Sequence, residues 1–113
     1  MSAGQDCAHA IAVVIPCYRV ADKILGVLAG IGPEVTRVYV VDDACPEGSG
    51  TVVQARCTDP RVDVIFHAHN LGVGGAAISG YRRAIAQGAT IIVKLDGDGQ
   101  MDPAQLPRLV SPI

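Results

Sequence analysis

The sequence has few aromatic residues, no long apolar segment and no cluster of basic residues. Its 113 residues contain three tyrosines, one phenylalanine and no tryptophan, so the core must consist mainly of valine, isoleucine, leucine and alanine. No apolar run approaches the roughly 20 residues that span a bilayer. The net charge is −2, and without a basic cluster nucleic acid is not the expected partner. Half of the residues are hydrophobic, which is enough for one small domain with its own core.

The cysteines also lack the spacing of a metal site. Four are present, at positions 7, 17, 45 and 57, and no two of them form a C-x-x-C pair. The first residues have neither the basic nor the apolar segment of a signal peptide. In a chain without a signal peptide we expect free thiols rather than disulfides or zinc ligands. The expected location is therefore the cytoplasm.

Short apolar runs alternate with segments of helical spacing along the chain. The predicted strands are 11–15, 37–41, 62–66 and 90–95. The predicted helices are 21–31, 49–57, 77–88 and 103–110. This order predicts an α/β fold, a Rossmann-like parallel sheet of about four strands with helices on both faces. Residues 1–10 are predicted to be a flexible N-terminal tail.

Polar or otherwise unusual residues follow every predicted strand. They are Pro16, Cys17 and Tyr18 after the first strand, Asp42 and Asp43 after the second, His67, His69 and Asn70 after the third, and Asp96 and Asp98 after the fourth. In parallel sheets, ligands bind at the carboxyl ends of the strands, which all lie at one edge. The coincidence predicts a single nucleotide-type site on that edge of the sheet.

The acidic pair after the last strand is the strongest chemical signal. Asp96 and Asp98 lie one residue apart, and two carboxylates at about 4 Å repel by roughly 4 kcal/mol at an effective dielectric of about 20 unless a cation lies between them. Hard oxygen ligands suit Mg²⁺ or Mn²⁺, which commonly bridge to substrate phosphates. Gln100 can add a neutral oxygen ligand. Asp102 and Pro103 have a simpler explanation, as the N-cap and first residue of a helix.

Other residues at the strand ends have two interpretations each. Asp42 and Asp43 either bind a ligand or form a turn with an Asx cap. Tyr18 either contacts a nucleotide or is a partly buried residue of the edge. His67 and His69 alternate at the end of the third strand, and we interpret them as surface or rim histidines rather than as a metal-binding pair.

The glycine-rich segment Gly72–Ala77 fits the pattern G-x-G-x-x-A of dinucleotide-binding folds. That pattern usually follows the first strand, whereas here it follows the third. We therefore interpret these glycines as close packing of a helix on the sheet, and NAD is not an expected cofactor. The exposed N–H groups of the turn can still face a donor molecule.

Four segments taken together resemble glycosyltransferase family 2, whose members have the GT-A fold. The segments are Val14–Tyr18, Val40–Asp43, Asn70–Ala77 and Leu95–Pro103. The form D-x-D-G-Q-x-D-P of the last segment is most similar to the polyprenyl-phosphate (dolichol-phosphate) hexosyltransferases. The resemblance extends from about residue 11 to the last residue.

The resemblance implies a metal-dependent transfer of a hexose from a nucleoside-diphosphate sugar, a UDP- or GDP-hexose, to an acceptor such as a polyprenyl phosphate. It implies that the donor is bound by Pro16, Tyr18, Asp42, Asp43, Asn70 and Asp96. It places Mn²⁺ or Mg²⁺ between the donor diphosphate and three ligands, Asp96, Asp98 and Gln100. Asp98 is the expected catalytic residue.

The resemblance also implies that residues 11–113 form only the nucleotide-sugar-binding half of such an enzyme. The acceptor-binding half would follow, so we expect the chain to be inactive alone and the full-length protein to work at the cytoplasmic face of the membrane. The strand 90–95 would then lie at a sheet edge, and we expect self-association through it. Alternatives are a sugar-nucleotide-binding module or a nucleotidyltransferase-like module without transferase activity.

Overall fold

The computed structural model of the chain describes residues 10–95, and everything said of the structure below refers to them. The elements are β1 (Ile11–Cys17), α1 (Ile24–Ala29), β2 (Arg37–Asp42), α2 (Ser49–Arg56), β3 (Val62–Phe66), α3 (Gly72–Ala86) and β4 (Ile91–Lys94). The predicted tail and the predicted helix 103–110 lie outside the described residues. None of the helices within residues 10–95 has the length and apolar character needed to cross a membrane.

The four strands form one parallel sheet in the order β3-β2-β1-β4. β1 is an interior strand that pairs with β2 on one side, where Val13 faces Val38, and with β4 on the other, where Val13 faces Val93. Connections between parallel strands require crossovers, and each helix supplies one. The predicted Rossmann-like sheet of about four strands is confirmed.

The core has two layers, one on each face of the sheet. The first joins sheet residues to α1 and α2 and contains Val13, Ile15, Val38, Val40 and Val93 with Ile24, Val27, Leu28 and Val53. The second joins the sheet to α3 and contains Ala12, Val14, Tyr39 and Val41 with Ala76 and Ala84. Helices therefore cover both faces, as predicted. Apart from Tyr39, whose hydroxyl donates to Gln87 Oε1, these buried residues are aliphatic.

β1 is longer than the sequence predicts, because it continues through Pro16 to Cys17. Residues of a strand face alternate neighbours, and Cys17 faces β2, where its carbonyl accepts the N–H of Asp43. The nitrogen of Pro16 therefore faces the β4 side, beyond the last register pair of Val14 with Lys94. A proline at this position removes no hydrogen bond of the described ladder.

Two helices also differ from their predicted bounds. The spacing of apolar residues predicts a helix over 21–31, but α1 covers only Ile24–Ala29 and has no side-chain cap. Glycines at positions 26, 30 and 32 weaken helix formation there. Conversely, α3 begins at Gly72, so the glycine-rich segment forms the first turn of the helix instead of a separate loop before it.

Close packing explains the small residues of α3. Its buried positions are Ala76, Ala77, Gly80 and Ala84. A Cβ atom added at Gly80 would overlap the side chain of Val14 in β1. The helix therefore lies nearer to the sheet than a larger residue at position 80 would permit. The predicted close packing holds for Ala76 and Ala77, which are buried, and is wrong for the glycines before them, because Gly72 and Gly74 are exposed with no atom within 4 Å of an added Cβ.

We predict opposite stability effects for two glycine substitutions in α3. Gly80→Ala should lower the free energy of unfolding by about 1–3 kcal/mol, since the added methyl group collides with Val14 in a packed layer. Gly74→Ala, where no atom lies within 4 Å of an added Cβ, should raise it by roughly 0.5–1 kcal/mol through helix propensity. Urea unfolding of both variants is the measurement. A Gly80→Ala variant as stable as the wild type would contradict the close approach.

Self-association through β4 stays a prediction, and the sheet order makes it specific. Among residues 10–95, β4 pairs only with β1, and the N–H groups of Val93 and Leu95 face β1, as the bond from Leu95 N to Val14 O shows. The backbone of Ile92 faces the opposite side. Light scattering over a concentration series should detect dimers, and Ile92→Pro should abolish them by removing an edge donor while the β1 ladder remains. Monomers at every concentration in the wild type would refute edge pairing.

Candidate functional site at the carboxyl ends of the strands

Backbone hydrogen bonds join the ends of neighbouring strands into one rim. Asp43 N donates to Cys17 O over 3.1 Å, and His67 N donates to Asp42 O over 2.9 Å. Leu95, which directly follows β4, is bonded to β1. The residues that follow all four strands therefore lie at the same edge of the sheet, as the sequence predicts. We call this edge the carboxyl rim.

The carboxylate of Asp42 is enclosed in the β2–α2 connection. Only 4% of the residue is exposed. Its Oδ1 accepts the N–H of Cys45 over 2.7 Å, and its Oδ2 accepts the N–H of Gly50 over 2.8 Å. A Cβ at Gly50 would come within 3 Å of Asp42, so the second bond requires a glycine. Both carboxylate oxygens therefore fasten the loop and the first turn of α2, while nucleoside binding by Asp42 stays a prediction.

Asp43 is the point where the loop after β2 meets the loop between β3 and α3. It is 3% exposed, and its Oδ1 accepts both the N–H of Leu71 and a ring N–H of His67, each over 2.8 Å. Its backbone oxygen accepts the side-chain amide of Asn70 over 3.1 Å. Burial alone would raise the pKa of Asp43, but hydrogen bonds from Leu71, His67 and Gly72 lower it below the ordinary value. The carboxyl group is therefore held in its charged form.

His67 and His69 fit the interpretation as surface or rim histidines, because His69 is exposed and His67 belongs to the carboxyl rim. The sequence did not predict the partners of His67. Its side chain is 9% exposed, Nδ1 lies 2.8 Å from Asp43 Oδ1, and Nε2 lies 2.8 Å from Ser79 Oγ in α3. Its partners are 24 and 12 residues away, so no local pattern identifies them.

Asp43, His67 and Ser79 are connected in the order of a hydrolase triad, but their setting does not support acyl transfer. Ser79 lies in the interior of α3. The N–H groups around it are engaged in helical hydrogen bonds, so they cannot stabilise an oxyanion. The three residues form a structural and electrostatic chain that links α3 to the end of β2.

The loops after β1 and β2 contain two non-glycine residues with left-handed backbone, Arg19 at φ 60° and Ala44 at φ 57°. The loops are joined because Arg19 N donates to Cys45 Sγ over 3.0 Å. Tyr18 is 44% exposed, and the Arg19 guanidinium carbon lies 5.4 Å from its ring centroid. Strained residues of this kind are typical of ligand-binding loops. Tyr18 thus offers an accessible aromatic face at the carboxyl rim.

Two cysteines of the carboxyl rim have opposite acidities. Burial raises the pKa of Cys17 to about 12, with Asp42 and Cys45 as further causes. Burial would also raise the pKa of Cys45, but hydrogen bonds, led by that of the Ser49 hydroxyl, lower it. The Cys45 Sγ lies 3.2 Å from Ser49 Oγ. Cys45 therefore adds a polarised thiol to the loop that carries Ala44.

The structure brings some of the predicted site residues together and leaves others outside its described part. Asp43 and Asn70 are in direct contact, and Tyr18 is exposed on the same rim. Pro16 is half-buried within β1. The predicted metal ligands Asp96, Asp98 and Gln100 lie outside the described residues. Their assignment and the assignment of the donor-binding residues stay predictions.

Comparison with known proteins assigns this arrangement to a family. The model of the family described as glycosyl transferase family 2 matches residues 12–113. The chain therefore belongs to glycosyltransferase family 2. A curated relative, the undecaprenyl-phosphate mannosyltransferase of Micrococcus luteus, is 38% identical over 104 residues, which are 88% of this chain and 42% of the relative. The chain thus spans less than half of that relative.

Solved structures show the same fold. TarS of S. aureus in complex with UDP superposes with a TM-score of 0.70 at 20% identity, over 88% of this chain and 30% of TarS. The mannosyltransferase PcManGT of Pyrobaculum calidifontis, in complex with GDP-Man and Mn²⁺, superposes with a TM-score of 0.63 at 21% identity, over 78% of this chain and 27% of PcManGT. The predicted GT-A architecture is confirmed.

We predict that acid destabilises the chain in part through Asp43. Its carboxyl pKa is below the ordinary 3.8 in the folded chain, so the unfolded chain binds the proton more readily as the pH falls. The stabilisation is complete well above pH 3.8 and is lost as the pH falls through the folded value. Urea unfolding between about pH 5 and pH 2 should therefore show a steeper loss for the wild type than for Asp43→Asn.

A charge-matched control is Asp63→Asn. Asp63 lies on β3 in an exposed ion pair with Arg83, away from the carboxyl rim, and an exposed pair contributes little to stability. This variant should retain most of the wild-type slope. Equal slopes for the wild type and Asp43→Asn would show that the Asp43 contacts do not stabilise its charged form.

Proposed function

We propose that this chain binds the nucleoside-diphosphate sugar donor of a glycosyltransferase that passes a hexose to a polyprenyl phosphate. The observation that carries the proposal is the convergence at the carboxyl rim. Asp43 and Asn70 meet there, Tyr18 is exposed there, and β4 delivers Leu95 to the same edge immediately before the Asp96–Asp98 pair.

In this proposal Asp43 and Tyr18 recognise the nucleoside. The hydrogen bonds that Asp43 accepts from His67 and Leu71 both go to Oδ1, and Oδ2 takes part in neither of these two. An ionised carboxylate oxygen accepts a hydrogen bond from a base N–H or a ribose hydroxyl more strongly than a neutral oxygen does. The exposed Tyr18 ring supplies a flat apolar surface against which a base can lie. Asn70 orients the Asp43 backbone.

The proposed cofactor is Mn²⁺ or Mg²⁺. Two carboxylates and an amide oxygen, from Asp96, Asp98 and Gln100, are a hard donor set of the kind that these cations prefer. When bound, the cation would neutralise charge that develops on the leaving nucleoside diphosphate. PcManGT, which has the same fold, was solved with GDP-Man and Mn²⁺.

The acceptor is proposed from the Micrococcus luteus relative, whose name specifies undecaprenyl phosphate. Because this chain spans only 42% of that relative, acceptor binding and the whole enzyme's turnover are not assigned to the residues present. We propose that the chain alone binds donor and metal without sugar transfer. Positioning two substrates supplies much of the rate of a bimolecular reaction, and here one of the two would lack its site.

We predict that UDP or GDP stabilises the chain only when Mn²⁺ or Mg²⁺ is present. At about 100 times its dissociation constant the nucleotide should add roughly 2.7 kcal/mol to the free energy of unfolding. The measurement is thermal unfolding with each nucleotide, with the metal and with EDTA. Asp98→Asn should remove the metal-dependent part, whereas Asp63→Asn, an exposed aspartate on β3, should keep it.

The outcomes separate the competing functions. Equal stabilisation with metal and with EDTA would contradict the metal bridge but retain nucleotide binding. No stabilisation by either nucleotide under any condition would contradict the donor-binding proposal. Metal-dependent binding together with sugar transfer by the 113-residue chain would show that the chain is a complete transferase, contrary to the proposal.

A further inference from the structure

We infer that His67 is a positioning residue for nucleoside recognition, which holds the Asp43 carboxylate in place and is itself held by Ser79 of α3. The inference rests on the proposed function, because it gives Asp43 the role of contacting the nucleoside. His67 does not touch the donor in this scheme, and its effect is exerted through Asp43.

The backbone N–H and both ring nitrogen atoms of His67 are engaged in hydrogen bonds. Its backbone N–H donates to Asp42 O over 2.9 Å, Nδ1 lies 2.8 Å from Asp43 Oδ1, and Nε2 lies 2.8 Å from Ser79 Oγ. The carboxylate accepts from Nδ1, so Nδ1 carries a proton. The ring therefore has one orientation that satisfies both of its nitrogen atoms, and this orientation is fixed from two sides.

Asp43 needs this second donor to have a defined orientation. A single hydrogen bond from Leu71 N–H would allow the carboxylate to pivot about that bond. With His67 on the same oxygen, a ring N–H and a backbone N–H from the two ends of the β3–α3 loop converge on Oδ1, and the position of Oδ2 is fixed as a result. A ligand contact to Oδ2 then requires no reordering of the side chain, which is the general advantage of a preorganised site.

Ser79 connects this arrangement to the rigid part of the fold. It lies in α3 beside Gly80, whose lack of a side chain lets the helix approach Val14 closely. The helix and the sheet therefore set the distance between Ser79 and the end of β2. A position fixed by packed secondary structure is more precise than one fixed by a loop.

Histidine variants can separate positioning from simple stabilisation of the fold. In His67→Asn the side-chain amide nitrogen takes the place of Nδ1, so the bond to Asp43 can persist while the bond to Ser79 is lost. In His67→Gln the amide nitrogen takes the place of Nε2, so the bond to Asp43 is lost. His67→Phe keeps an aromatic ring and loses both bonds, and Ser79→Ala removes only the second one.

The experiment measures nucleotide affinity and stability for each variant. Titration calorimetry with UDP and with GDP, in the presence of Mn²⁺, should give dissociation constants about tenfold or more above the wild type for His67→Phe and His67→Gln, the equivalent of one lost hydrogen bond. His67→Asn should stay within about threefold, and Ser79→Ala should fall between. Thermal unfolding without nucleotide reports the structural contribution of each variant separately.

A second readout does not depend on the nucleotide. The Asp43 carboxyl can be titrated by ¹³C NMR. His67→Phe should raise the pKa of Asp43 toward its ordinary value, because a hydrogen bond to the charged form is lost, and His67→Asn should keep it low. Rescue by asparagine but not by glutamine would identify the Nδ1 contact as the one that matters.

Each result has one meaning. If the wild type binds a nucleotide and His67→Phe, still folded, binds it equally well, the positioning role is overturned while the proposed function survives. If His67→Phe unfolds, the comparison of His67→Asn with His67→Gln decides, and equal affinities of those two variants overturn the role. If the wild type binds neither UDP nor GDP, the proposed function fails and the role of His67 in nucleoside recognition fails with it.

Discussion

A buried carboxylate is stable only where donors compensate for the water it has lost, and Asp43 finds them in the connection between β3 and α3. Leu71, at the start of α3, supplies a backbone N–H, and His67, after β3, supplies a ring N–H. The Asp43 backbone is bonded in turn to Cys17 at the end of β1. The hydrogen bonds of Asp43 therefore join the end of β1, the β2–α2 connection and the β3–α3 connection. They form a polar cluster at the edge of an otherwise aliphatic sheet.

The neighbouring aspartates at the end of β2, Asp42 and Asp43, bond to different parts of the fold. Successive side chains of an extended backbone point to opposite sides, so Asp42 meets α2 at Gly50 and Asp43 meets His67 and Leu71 on the α3 side. Each oxygen of Asp42 accepts a backbone N–H, whereas the His67 and Leu71 bonds of Asp43 converge on Oδ1 alone. Two residues that are equivalent in the sequence thus differ in their capacity to meet a ligand.

The strands and the presence of helices on both faces of the sheet could be predicted, because apolar periodicity is local and the βα alternation restricts the topology. The first turn of α3 could not, since the glycines at positions 72, 74 and 75 favour a loop by local propensity. The partners of His67 could not be predicted either. Its bond to Asp43 joins positions 24 residues apart, and no spacing within a single element encodes it. The sequence predicts that the residues after each strand lie together at the carboxyl rim. The hydrogen bonds between them depend on tertiary structure.

The position of β1 has a consequence for biosynthesis. Of the four described strands β1 is made first, yet it lies in the interior of the sheet. Its second neighbour begins 80 residues later, the sequence separation of Ala10 and Thr90. Local hairpins form in microseconds. At a translation rate of about 5–20 residues per second, by comparison, the second edge of β1 stays unpaired for about 4–16 s until β4 is made. During that time an aliphatic strand with unpaired backbone groups is exposed to other nascent chains and to holding chaperones. The order of strands in the sheet therefore determines how long the β1 edge is open to intermolecular pairing during synthesis. This period ends only when α3 has crossed the sheet and β4 has paired with β1.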